Sequence, residues 1–281
     1  MGILVDPSQW PHRGGLWCHM VSDVSVEELH QLARRIGVPR VAFQGDHYDL
    51  DESTRQRAID AGAREVSARE VVRTLDASGL RRGPSLQRRG LAGVGDLPAP
   101  MLPTKRLELR QWTELDRGPF ARLNADPRVG DWLGGAISLE QSNTMLDRNA
   151  VQLALRGFGL WSVHERDTDS FIGAVGLLGV GPEFSFSPAL ELVWRVDPNH
   201  QGRGFASEAA FAAANYAHET LEVHRVAAFT SVGNLASLRV MEHLNMRTDE
   251  FLPNGEFDHP RLAAGHPLRR HQLRWWHAPV N

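Results

Sequence analysis

The stretch VWRVDPNHQGRGFASEAA, Val193 to Ala210, passes from alternating apolar residues through a glycine turn into an alanine-rich helix. A turn of this kind binds anions, because the first backbone N–H groups of a helix lack intrahelical partners and the helix dipole adds positive potential there. Gly202 and Gly204 lack the Cβ that would hold a ligand away from the backbone. A P-loop is excluded, since it closes on Gly-Lys-Ser/Thr and here Gly204 is followed by Phe205. A dinucleotide fingerprint fits Gly202 and Gly204 but meets Ser207 at its third glycine. Its acid, due about twenty residues on, falls at Glu222, which precedes the next strand instead of ending it. On the glycines alone, another kind of phosphate cradle and an ordinary strand-to-helix turn both stay open.

Flanking segments supply more pattern. TKRLELRQW alternates as a strand, and Ser138 with Gln141 forms a capping box that opens an amphipathic helix running to Gly157. GLWSVHE and FIGAVGLLGV flank RDTDS as a hairpin, while ALELVWRVD and HRVAAFTS supply two further strands.

Gln201, Gly204 and Ala206 match the Q/R-x-x-G-x-G/A pattern of the GCN5-related N-acetyltransferases (GNAT), and Gly202 adds the extra glycine usual in their RimJ/RimL-like branch. GFGLWSVHE, FIGAVGLLG, ELVWRVDPNHQGRGFASEA, HRVAAFTSVGNLASLRVMEHLNM and HPLRRHQL occur in that family's order, so residues 102–276 resemble it. The resemblance implies an α+β fold over 102–281, with a mixed, mostly antiparallel sheet flanked by helices. It also implies acetyl-CoA as cosubstrate, its pyrophosphate held by the N–H groups of Gln201 through Ala206. Val196, Gln201, Gly202, Arg203, Gly204, Phe205, Ala206 and Asn234 are the implied contacts.

Amide formation needs a base, because an amine is protonated at neutral pH. Leu190, Leu192, Trp194 and Val196 form one apolar face of a strand and leave Glu191 on the other, beside Val193 and Arg195. A carboxylate in such a strand tends to have a raised pKa and suits the base; a salt-bridged surface glutamate is the competing reading. The family often polarises the thioester carbonyl with backbone N–H groups at a bulge in this strand, here Val193 to Val196. Many members protonate the departing thiolate with a tyrosine on the helix after the next strand, but Tyr48 and Tyr216 do not fall there. The branch's N-x-x-S puts Asn234 and Ser237 at that place. Asn234 is implied to touch the pantetheine and cap the helix, and Ser237 to face the sulfur. The family's Gly-Phe after this helix is Asn245–Met246 here, and asparagine tolerates the left-handed cap. The resemblance walls the acceptor site with Trp132, Phe158 and the segment from Pro253 to His271. A protein N-terminus, a small amine and an aminoglycoside all fit that chemistry.

The 281 residues, 42% of them hydrophobic, suffice for two cores. A formal charge of -3 gives no basic excess for nucleic acid and no cationic block for a membrane surface. Cys18 is the sole cysteine, which excludes an intrachain disulfide and fits a reducing compartment. MGILVDPSQW carries neither the basic nor the long apolar part of a signal peptide, and FIGAVGLLGVG is too short to span a bilayer. A cytoplasmic enzyme with no nucleic-acid or membrane partner is expected, and a homodimer is compatible with the reading.

Residues 77–101 read as a linker rich in glycine, proline and arginine. Before it, ILVD, RVAF and REV are strand candidates, separated by helices that open on Ser25, Asp51 and Ser67. Residues 1–76 are thus expected to form a small α/β domain with a mainly parallel sheet. Asp6, His12, His19, Asp23, Asp46, His47 and Asp49 gather near predicted strand ends, where ligands bind in such sheets. Asp6, His19, His47 and Asp49 would suit a metal or a phosphate ester, yet no fixed ligand spacing supports a metal and none is expected. This segment resembles an uncharacterised bacterial domain family marked by Trp17–His19 and His47–Leu50, a resemblance that brings no activity. Two rival functions stand beside the acetyltransferase: a non-catalytic CoA-binding sensor, and a metal-dependent hydrolase carried by the N-terminal domain.

Overall fold

The computed structural model describes residues 2–12, 14–81, 83–95 and 97–279, in two compact units divided between Arg89 and Gly90. Unit 1 contains β1 (Ile3–Val5), β2 (Trp10–His12), β3 (Gly15–Ser22), α1 (Val26–Arg35), β4 (Tyr48–Asp51), α2 (Glu52–Asp60), β5 (Arg64–Glu65), α3 (Ala68–Ser78) and α4 (Gly83–Arg89). Ser25, Asp51 and Ser67 cap α1, α2 and α3, each side chain accepting from the N–H three residues on. Each cap contributes about 1 kcal/mol.

The parallel pairing expected in this unit is that of β1 with β5. The remaining pairs are antiparallel, because β3 joins β1, β2 and β4. β3 lies outside the strand candidates ILVD, RVAF and REV; its Cys18 and Met20 alternate into the core, while Trp17 and His19 are only partly buried. RVAF is not the strand expected: Arg40–Ala42 form a 3-10 turn that delivers Phe43 to the core. The strand's place is taken by β4, where Tyr48 and Leu50 face inward with period two.

Unit 2 comprises α5 (Leu91–Val94), β6 (Leu102–Pro103), β7 (Leu107–Arg110), α6 (Arg117–Ala125), α7 (Pro127–Gly130), α8 (Leu139–Arg156), β8 (Leu160–Glu165), β9 (Ser170–Gly179), β10 (Leu190–Val196), α9 (Phe205–Glu219), β11 (Arg225–Ser231), α10 (Leu235–His243), β12 (Arg247–Thr248), β13 (Glu256–Asp258) and β14 (Arg270–His277). Part of the expected linker is therefore helical. Leu86, Leu91 and Val94 are buried, and the Leu91 N–H donates to Asp147 Oδ1 of α8 at 2.9 Å. Helices of one or two turns are too short for an apolar period to register in sequence.

The sheet of unit 2 runs β12-β14-β11-β10-β9-β8-β7-β6, with β13 also on β14. Its pairs are antiparallel apart from β10 with β11. The capping box of Ser138 and Gln141 forms in both directions at the start of α8. Helix α9 packs on β9 and β10 through Ala209, Ala210, Ala213, Ala214 and Ala217, whose small side chains bring helix and sheet close together. Asn245 closes α10 at φ +53, the left-handed conformation expected of it. Among the described residues no helix is long and apolar enough to cross a membrane.

Candidate active site

The sheet opens at one place. β10 pairs with β9 in unbroken register from Leu190 to Val196, but with β11 only where Glu191 meets Ala227. β11 stays on β14 along its whole length, from Arg225 to Ser231. Beyond Glu191 the two strands diverge and leave a wedge, with one edge of β10 free of a strand partner. The bulge expected in β10 is absent; the register shift of this sheet falls in β8, between Val163 and His164. The opening is made by β11 leaving β10.

The glycine turn lies past the end of β10. Gly202 and Gly204 adopt φ +75 and +79, left-handed conformations that residues with a Cβ enter at a cost. A Cβ on Gly202 would project into open space. Gln201 ties the turn to the strand: its Nε2 donates to the Val196 carbonyl at 3.1 Å, while its own N–H is turned to the Pro198 carbonyl at 3.4 Å. Among the described residues, no acceptor within the chain takes the N–H groups of Gly202 through Ser207. The turn thus fits the pyrophosphate of acetyl-CoA, which would supply those missing acceptors. The guanidinium groups of Arg203 and Arg106 lie 4.4 and 4.6 Å from the centre of the Phe205 ring, and they pair with Glu165 at 2.6 Å and Glu208 at 2.7 Å. Phe205 is buried beneath them and Ala206 follows in the first turn of α9.

Across the wedge, Asn234 caps α10 by accepting from the Ser237 N–H at 3.2 Å. The Ser237 Oγ accepts from Trp194 Nε1 at 3.3 Å, which leaves the hydroxyl hydrogen free to donate. Trp194 stands on the α9 side of β10, so Ser237 sits on the cofactor side of the sheet.

Glu191 stands on the opposite face, at the last point of contact between β10 and β11. Among the described residues no hydrogen bond or ion pair holds its carboxylate, which excludes the salt-bridged reading. Burial raises its pKa to about 8, opposed only by the charge of Arg261, whose guanidinium pairs with Glu183. Arg195, two strand positions further along this face from Val193, is lowered by burial to about 10. It remains a cation at neutral pH and donates to Asn124 Oδ1 and, at 3.8 Å, to Met145 Sδ.

Beside Glu191 the same face carries aromatic rings that sequence reasoning missed in part. Phe184, Phe186, Phe229, Phe257, His259 and His271 form one cluster, with the Phe184–His259 and His259–His271 centroids 5.1 and 4.8 Å apart. Burial holds both imidazoles neutral, His259 at about 4 and His271 below its ordinary value. Phe257, His259 and His271 lie in the segment expected to wall the acceptor site. The signal for the others was weak: two phenylalanines spaced by one residue in EFSFSP, and Phe229 at an alternate position of β11. Trp132 is 41% exposed and its indole flanks Gly233, beside Asn234. Phe158, expected to line the acceptor site, is instead fully enclosed with the Arg156 guanidinium over its ring, so it presents nothing to a ligand.

Residues 106–247, half of the chain, match the acetyltransferase (GNAT) domain, and the chain belongs to this family. It is an acetyltransferase whose acetyl donor is acetyl-CoA. Residues 3–78 match a family described as a protein of unknown function, DUF4031. The uncharacterized N-acetyltransferase YnaD of Bacillus subtilis (strain 168) is 29% identical over 149 residues, 53% of this chain and 83% of that protein. An acetyltransferase crystal structure from Agrobacterium tumefaciens str. C58 is 27% identical, covers 64% of this chain and 96% of its own, and superposes with a TM-score of 0.52. The ribosomal L7/L12 α-N-protein acetyltransferase RimL, in complex with coenzyme A, shares the fold at 17% identity and a TM-score of 0.50, over 63% of this chain and 97% of its own.

Proposed function

We propose that unit 2 transfers the acetyl group of acetyl-CoA to a primary amine, on a protein N-terminus or a small molecule, by direct attack of the amine on the thioester. The observation that carries this reading is a half-buried carboxylate without an ion-pair partner among the described residues, Glu191, at the apex of the wedge between β10 and β11. Acetyl-CoA supplies an activated acyl group. Glu191 takes the amine proton as the C–N bond forms, directly or through one water. The free edge of β10 beyond Glu191 offers backbone N–H groups to the carbonyl oxygen. As the C–S bond breaks, Ser237 donates its free hydroxyl hydrogen toward the sulfur. The aromatic cluster with its neutral imidazoles favours an amine borne on an apolar or aromatic group over a polycationic acceptor. A panel of alkylamines, arylalkylamines, aminoglycosides and N-terminal peptides, read by CoA release, tests this. Turnover on the arylalkylamines or on peptides with apolar N-terminal residues is expected; CoA binding with no turnover on any of them would leave a sensor instead.

Ser237→Ala should lower kcat by about a hundredfold at most, the lower end for one lost transition-state donor, with acetyl-CoA affinity unchanged. An equal loss in affinity would make Ser237 a binding residue. The two units are further proposed to fold independently, since each encloses its own core. Residues 1–89 and 90–281, expressed separately, should each be soluble and melt cooperatively; aggregation of both would contradict this.

A further inference from the structure

Two strands of unit 1 bring together residues that the chain separates. His19 of β3 and Asp49 of β4 are direct cross-strand partners. His47 directly precedes β4, two residues before Asp49, and its ring lies 5.2 Å from that of His19. Each imidazole is oriented from behind by a carboxylate. His19 Nδ1 lies 3.0 Å from Asp6 Oδ2, and Asp6 is buried, with Oδ1 accepting the His19 backbone N–H at 2.6 Å. Trp10 Nε1 also donates to Asp6 Oδ2, at 3.2 Å. His47 Nδ1 lies 2.5 Å from Asp46 Oδ1. An ionised carboxylate only accepts, so both Nδ1 atoms carry hydrogen, and each Nε2 is the ring nitrogen left to bind a metal once it gives up any proton of its own.

The two Nε2 atoms converge on a carboxylate oxygen. His47 Nε2 and His19 Nε2 lie 3.4 and 3.9 Å from Asp49 Oδ1, and the three atoms fall within 4.8 Å of one another. Without a metal, a proton on an imidazole Nε2 can bridge to Asp49; a divalent cation at the same point would replace that proton. A zinc ion about 2.1 Å from each ligand needs ligand atoms about 3.5 Å apart, which the partly exposed imidazoles reach by small rotations. A carboxylate behind the non-ligating nitrogen is the arrangement that fixes metal-binding histidines. The side chains of His19, His47 and Asp49 are 30%, 26% and 33% exposed, so the site opens to solvent and leaves coordination positions free. Closed structural sites lack such positions.

We propose that His19 Nε2, His47 Nε2 and Asp49 Oδ1 bind one divalent first-row transition-metal ion, zinc or a congener, with Asp6 and Asp46 as positioning residues. The inference revises the metal-free expectation for this segment and is independent of the acetyltransfer reading. The spacing H-x27-H-x-D has no fixed metal signature; antiparallel pairing of β3 with β4 creates the site.

The full chain, stripped with chelator, should bind one Zn2+ by calorimetry at micromolar affinity or tighter. His47→Gln should weaken binding at least a hundredfold, and Asp6→Asn should keep the stoichiometry and weaken it about ten- to a hundredfold. Because either variant could misfold, Co2+ is added to the wild-type chain as a second probe. Its paramagnetism should broaden the His19 and His47 imidazole resonances first. No stoichiometric Zn2+ binding, or broadening confined to histidines elsewhere such as His259 and His271, would overturn the proposal and leave a hydrogen-bonded His–Asp cluster.

Discussion

Gly202→Asp should weaken acetyl-CoA binding by about a hundredfold or more, since two like charges about 4 Å apart near a surface repel by roughly 4 kcal/mol. A hundredfold corresponds to about 2.7 kcal/mol, so even partial screening leaves the effect visible. The Cβ of residue 202 would project into open space beside N–H groups that no acceptor in the chain takes. The new carboxylate would occupy the place the pyrophosphate needs. Gly202→Asn separates charge from backbone, because asparagine enters the left-handed region at similar cost without the negative charge. Its loss should be about tenfold or less, the remainder being ordinary αL strain. Gly204→Asp should be milder than Gly202→Asp, since a Cβ there lies 3.5 Å from Arg106 Nη2, which would partly neutralise it. Unchanged affinity of Gly202→Asp by calorimetry would remove the cofactor assignment of the turn.

Glu191→Gln should lower turnover by about a hundredfold to ten-thousandfold, the usual contribution of a positioned general base. Acetyl-CoA affinity should hardly change, because Glu191 lies on the sheet face opposite Ser237. The base works only when ionised, so kcat/KM of the wild type should rise with pH through about 8. An alkylamine acceptor with a pKa about 10 keeps its own ionisation apart from this limb. The variant should lose the limb near pH 8. If it keeps both turnover and profile, Glu191 is structural and the proton leaves by another route.

The same ionisation bears on stability. The Glu191 carboxyl rises from an ordinary 4.5 to about 8 on folding, so between those values the folded chain holds a proton that the unfolded chain has released. Stability must then fall as pH rises through this window. The Tm of Glu191→Gln relative to wild type should therefore increase between pH 5 and pH 9, about the span of the two pKa values. A constant difference in Tm would show that the carboxylate is not desolvated.

Caps and period-two strands were legible in sequence because they are local. Ser25, Asp51, Ser67 and Ser138 each satisfy an N–H three residues on, and no distant contact is needed. The hairpin of β8 and β9 and the strand carrying Glu191 were legible for the same reason. RVAF and the β3 segment were misread because three apolar residues in a row, Val41 to Phe43, fit either a turn into the core or a strand, and because Trp17 and His19 hid the alternation of Cys18 and Met20. Phe158 was misplaced because an aromatic residue before a strand has the same sequence signature in a core as in a pocket.

By itself the sequence determined the two-part organisation, the glycine turn that opens the backbone to a ligand, the α+β family and Glu191 as the lone carboxylate of an apolar strand. Tertiary structure alone decided where β10 and β11 part, which N–H groups are left without acceptors, and which rings stand beside Glu191. It also decided that His19, His47 and Asp49 meet. The physical reason is the range of the interactions: propensity, capping and periodicity act over a few residues, whereas a wedge between parallel strands or a ligand cluster across β3 and β4, which α1 separates in the chain, exists only once strands distant in sequence have paired.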